Sequence, residues 1–136
     1  MKALLLLTAL FIALPLHAAD LPTVTIEHLY YLQTRADRVR NFKPDDMIDY
    51  CVAMKLGTSA FENLYSHVQT MRIDLTKLLK IEEISEADSR VKFLQKTIYE
   101  YNKLLQDEAK RIQNGLVREG QVATDALTVI ARAQHQ

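Results

Sequence analysis

Between Ala87 and Leu116 the apolar residues keep a rhythm that suits a long helix and no other element. Ala87, Val91, Leu94, Ile98, Tyr101, Leu105, Ala109, Ile112 and Leu116 advance in steps of three or four. At about 100° per residue all of them fall within about 80° of a helical wheel. Phe93 and Leu104 are expected to widen that face on one side. Asp88, Lys92, Lys96, Glu100, Lys103, Asp107 and Arg111 occupy the other. Asp88 with Lys92, Lys96 with Glu100 and Asp107 with Arg111 stand four apart with opposite charge, each pair contributing roughly 0.2–0.5 kcal/mol to a helix. Such a helix has to bury its stripe against further elements.

The remainder of the chain offers helices for that purpose. It has three glycines and three prolines, and nowhere does it show the sustained period-two alternation of a strand. A first helix is expected over Val24–Asn41, with Thr23 as its cap and Leu29, Leu32, Ala36 and Val39 as its stripe. Pro44 opens a second as a first-turn proline, and Asp45 and Asp46 place negative charge at its positive end. Met47, Ile48, Cys51 and Val52 form its apolar face, and Gly57 is the expected stop. Ser59 and Glu62 have the spacing of a capping box. The third helix behind them carries Phe61, Leu64, Tyr65, Val68, Met71, Leu75, Leu78 and Leu79. Ser85 and Asp88 form a weaker box ahead of the long fourth helix.

Asn114-Gly115 is expected to end that helix, with Leu116 folding back. A last helix then covers about Val122 to Ala133 on a stripe of Val122, Ala126, Val129 and Ala133. The rival is one unbroken helix through Gly115 and Gly120, at about 1 kcal/mol per glycine. The expected fold is therefore all-α, an antiparallel bundle of four to five helices with a long heptad-like fourth helix. A coiled-coil hairpin or helical dimer is the alternative.

The N-terminus reads as an address. Met1-Lys2 supplies one positive charge, Ala3 to Leu14 carry none, and Pro15 and His17 end the apolar run before it reaches the roughly 20 residues of a membrane span. Residues 1–18 are expected to be a signal peptide cut after Ala18. Residues 19–136 would then be a single helical-bundle domain, periplasmic or secreted, with no integral membrane segment. Lys+Arg and Asp+Glu number 17 each, so loss of Lys2 leaves a net charge of minus one. A nucleic-acid binder needs a basic surplus, and none is expected here. Cys51 is the only cysteine. It cannot form an internal disulfide and sits among Met47, Ile48 and Val52, which points to a packed thiol.

No residues stand out for catalysis, and no metal or cofactor site is expected. The chain lacks Glu-x-x-His, His-Glu-x-x-His and Cys-x-x-Cys-His patterns, glycine-rich phosphate loops and a Gly-x-Ser-x-Gly elbow. Asp45-Asp46 and Glu82-Glu83 are better explained as helix-terminal charge. One group goes beyond fold maintenance. Tyr31, Arg35, Arg38 and Phe42 step by four, three and four, forming an aromatic-basic stripe beside the buried face of the first helix. Arginine between aromatic rings suits contact with another protein or with anions. The competing reading lays the arginine stems over the rings at a bundle edge, with Glu27 and Asp37 as local partners. The expected function is an exported, non-enzymatic binding or adaptor protein with a protein partner or self-association. A holdase-type chaperone and a small exported enzyme for an anionic substrate are the alternatives.

Overall fold

The computed structural model describes residues 25–135, and the expected signal peptide 1–18 and the cap Thr23 lie outside them. Helices α1 (Ile26–Val39), α2 (Pro44–Ala53), α3 (Ser59–Thr76) and α4 (Ser89–Gln134) follow in order, with a π turn over Lys77–Ile81 after α3. The described residues contain no strand. The fold is an all-α helical bundle whose long C-terminal helix packs against the others. Two compact units divide the described residues: 25–42 together with 113–135, and Lys43–Ile112.

In the Lys43–Ile112 unit, Met47, Ile48 and Cys51 of α2, Phe61 and Val68 of α3, and Val91, Leu105 and Ala109 of α4 are buried. The expected stripes of α2, α3 and the first half of α4 supply all of them. Each fully buried side chain of this kind contributes about 1.5–3 kcal/mol over its exposed state. Phe93 and Leu104 do not widen the face. They are 67 % and 56 % exposed, because they lie on the side of α4 turned away from Val91 and Leu105.

The helix ends differ from expectation in instructive ways. Thr58, not Ser59, caps α3: its hydroxyl accepts from the Phe61 amide at 3.1 Å, and Ser59 is the first helical residue. A threonine one position earlier outcompetes the serine, so Glu62 sits one place too late to close a box. Thr25 caps α1 in the same way, accepting from the His28 amide at 3.0 Å. Asp88 opens α4, its carboxylate accepting from the Arg90 amide at 2.8 Å.

Gly57 does not stop α2. The left-handed residue is Lys55, at φ 54°. The Leu56 amide donates to the Cys51 carbonyl at 2.9 Å and the Lys55 amide to that of Val52 at 3.2 Å. This is the paired-bond C-cap that usually employs glycine. A side chain at positive φ costs about 1 kcal/mol. Lys55→Gly is therefore expected to raise the urea midpoint by an amount equivalent to about 1 kcal/mol, less any entropy glycine adds to the unfolded chain. A lower midpoint would contradict this cap.

In the other unit α1 lies antiparallel to the second half of α4. Gln33 Nε2 donates to Thr124 Oγ1 at 2.8 Å, Arg35 meets Glu119 at 2.7 Å, and Gln113 Nε2 donates to the Val39 carbonyl at 2.6 Å. Partners on α4 thus step backward as α1 advances. Leu29, Ala36 and Val39 face Leu116, Gly120 and Ala123 across a buried seam.

The break expected at Gly115–Gly120 is absent, since α4 is continuous over 46 residues. Gly120 has a different task. A Cβ there would lie 2.1 Å from Ala36 Cβ and 3.2 Å from the Leu32 carbonyl oxygen, so the missing side chain lets the two helices approach. A Cβ at Gly115 would meet nothing within 4 Å. Continuity also rotates the seam. Gln113, Leu116, Gly120 and Ala123 are buried while Val122 and Val129, from the stripe expected for a separate last helix, are exposed.

Candidate functional site

The aromatic-basic stripe of α1 is partly assembled. The His28 ring stacks against Tyr31 with centroids 6.1 Å apart at 25°. Arg35 follows Tyr31 by one helical turn, and its guanidinium carbon lies 5.2 Å from the Tyr31 ring centroid. The same guanidinium reaches across the seam to Glu119 Oε1 at 2.7 Å, with the arginine side chain only 18 % exposed. Arg35 is therefore committed within the fold, as the bundle-edge reading expects. Its acid is Glu119 rather than Glu27 or Asp37. Asp37 instead accepts from Arg40 at 3.3 Å.

Arg38 is exposed on the same outer stripe, and no ion pair holds it among the described residues. Phe42 leaves the stripe. It lies beyond the end of α1, half-buried, with its carbonyl accepting from Gln113 Nε2 at 3.2 Å. What reaches solvent is the Tyr31 ring, about half exposed and held by His28 and Arg35, with exposed Arg38 two turns further along the stripe. A ring held this way presents apolar area at little entropic cost, and tyrosine and arginine are, with tryptophan, the residues enriched at energetically dominant contact points. Glu119 was missed because the expected break at Gly115 removed it from the helix that carries it.

A second polar cluster, which periodicity could not reveal, lies in the Lys43–Ile112 unit. Asp45 accepts from Asn102 Nδ2 at 3.2 Å and Gln106 Nε2 at 3.1 Å. Arg72 donates to Asn102 Oδ1 at 3.2 Å and Gln69 Oε1 at 3.0 Å, and Gln69 donates to the Tyr65 hydroxyl at 3.3 Å. This chain of bonds ties the first turn of α2 to α4 and α3. Together with Asp49, Ile48, Val68 and Leu105, Asp45, Tyr65, Arg72 and Asn102 line a depression of about 100 Å³.

The hydrogen bonds from Gln106 and Asn102, aided by Arg72, hold the Asp45 carboxyl below the usual carboxylate range. A lowered folded pKa means that the stabilisation is present above the unfolded value, about 3.9, and is lost as pH falls through the folded value. Relative to Asp45→Asn, the native chain is expected to be more stable at neutral pH, and the gap should close in acid. Parallel stability–pH curves for the two would contradict it.

Arg90 pairs with Asp88 at 3.1 Å, and Arg111 pairs with Glu108. Neither is an i,i+4 pair expected from spacing: Arg90 takes Asp88 in place of Lys92, Glu108 takes Arg111 in place of Asp107, and no ion pair joins Lys96 to Glu100 among the described residues. Cys51 is fully buried. Burial, then the charge of Glu108, pushes its thiol up to about 11. Among the described residues no three His, Cys, Asp or Glu side chains gather as a metal site requires, and no helix is long and apolar enough to cross a membrane. No family model, curated protein or solved structure matches this chain.

Proposed function

We propose that this chain is an exported helical adaptor that works by binding a protein partner, with the outer face of α1 as its contact surface. The observation that carries the reading is the Tyr31 ring, fixed by His28 and Arg35 yet about half exposed, with Arg38, which has no ion pair among the described residues, two turns further along the same stripe. Because Arg35 is neutralised by Glu119, recognition falls to Tyr31 and Arg38. The partner surface is accordingly one that offers an aromatic-sized recess and a carboxylate.

The test is a Tyr31→Ala, Arg38→Glu double substitution in the exported chain, which leaves the Arg35–Glu119 pair in place. Affinity capture from the envelope fraction should recover a discrete partner with the native chain and lose it with the variant, at unchanged helicity. Unchanged capture ends the α1 reading, and recovery of many unfolded clients favours the holdase instead. Export belongs to the same proposal: intact-mass measurement of the periplasmic or secreted protein should show a chain beginning at Ala19.

A further inference from the structure

We propose that the outer face of α4 between Arg90 and Arg111 pairs with the same face of a second copy of this chain, the two helices running antiparallel as a short coiled coil. This face belongs wholly to the Lys43–Ile112 unit and is separate from the α1 surface. Phe93, Thr97, Glu100, Leu104, Asp107 and Arg111 advance by four, three, four, three and four. They form a second heptad seam on a helix whose first seam is buried. All six fall within about 80° of the wheel, on the side of α4 opposite Val91, Leu105 and Ala109. Thr97 is half-buried and the other five are exposed, Phe93 and Leu104 despite their size.

The charge pattern selects the occupant and its direction. When Phe93 is set against Leu104 of an antiparallel second copy, Arg90 stands opposite Asp107 and Thr97 opposite Glu100, and two-fold symmetry repeats each layer. Among the described residues neither Glu100 nor Asp107 has an ion pair. Arg90 pairs with Asp88, but its side chain is 60 % exposed, and a guanidinium has donors enough for a second carboxylate. Other alignments fail. A parallel pair in register sets Glu100, Asp107 and Arg111 each against its own like charge. An antiparallel shift of one heptad sets Leu104 against Glu100 in one direction, and in the other carries it past the start of α4 to Glu86.

The centre of the seam is polar. There the Thr97 hydroxyl donates to the Glu100 carboxylate of the second copy, with Lys96 of that copy beside it. Polar layers of this kind fix register and cost affinity, so the dimer is weak and depends on concentration. Lys96 and Lys103 of opposite copies meet at the rim, where solvent screens them. Each also has an acid four residues along its own helix, Glu100 and Asp107.

Cys51 is buried, so a cysteine introduced on this face is the accessible thiol of the full chain. Phe93→Cys mixed with Leu104→Cys should give a disulfide-linked dimer under mild oxidation. Either variant alone should give little, because identical positions in the two copies are offset along the seam by about 16 Å, beyond disulfide reach. In sedimentation equilibrium the native full chain should approach twice the chain mass as concentration rises. Asp107→Arg should weaken association roughly tenfold or more, and adding Arg90→Glu should restore it, at unchanged helicity. A native chain that stays monomeric, single-cysteine variants that link as readily alone as mixed, an Asp107→Arg chain that associates like the native one, or no recovery with Arg90→Glu overturns the proposal. Tyr31 and Arg38 are untouched, so the cross-link reads α4 whatever binds α1.

Discussion

Gly120→Leu is expected to destabilise the protein by about 3 kcal/mol or more, and Gly120→Ala by about 1–2 kcal/mol, through overpacking of the α1–α4 seam. Alanine is ordinarily favoured over glycine within a helix by about 1 kcal/mol, so a loss on Gly120→Ala reports the clash directly. The obstacle is Ala36 Cβ, 2.1 Å from where the new methyl would stand, with the Leu32 carbonyl oxygen behind it at 3.2 Å. Neither is the flexible end of a side chain, so the helices themselves have to part. Gly115→Ala is the internal control. With nothing within 4 Å of its Cβ position, it should stabilise by about 1 kcal/mol. Urea denaturation with matched m values separates the two cases. Equal gains at both glycines would mean that the close approach does not exist.

Gln113→Leu should cost about 1–3 kcal/mol although the leucine adds apolar character to a buried seam. Gln113 is 5 % exposed, and its amide nitrogen donates to the Val39 and Phe42 carbonyls at 2.6 and 3.2 Å. These oxygens stand at and just beyond the last turn of α1, and the Val39 carbonyl also accepts from the Phe42 amide at 3.1 Å. Leucine supplies no donor, and each hydrogen bond lost from the seam costs about 0.5–1.5 kcal/mol. Hydrogen exchange should speed up first in the last turn of α1. A variant as stable as the native chain would show that water replaces the glutamine there.

The helices and their inward faces were legible because periodicity is a local property. Leu29, Ala36 and Val39, Met47 with Cys51, Phe61 with Val68, and Val91, Leu105, Ala109 and Leu116 each declare a buried side by spacing alone, and the structure buries these residues, while Leu94, Ile98, Tyr101 and Ile112 of the same stripe are half-buried. Helix ends were less legible, since several polar residues compete within a turn or two and small differences decide among them. Thr58 prevailed over Ser59, and Lys55 took the left-handed position that Gly57 was expected to serve. For the α1 stripe, sequence order was enough to bring Tyr31 and Arg35 together, one turn apart. Glu119 and the Asp45–Asn102–Arg72 chain join residues far apart in sequence, and no local pattern encodes such pairs.

The amino-acid sequence by itself determined that this chain is helical, where most of its helices run and which faces turn inward, because 3.6-residue periodicity and capping chemistry act over a few residues. Only the tertiary structure decided what Gly115 and Gly120 mean. A glycine inside an apolar rhythm costs a helix about 1 kcal/mol wherever it stands, and whether it breaks the helix, fills no role or admits a neighbour depends on what arrives from elsewhere in the chain. Here Ala36 arrives at Gly120 and nothing arrives at Gly115. α4 therefore continues, the seam rotates onto Gln113 and Ala123, and Glu119 comes within reach of Arg35.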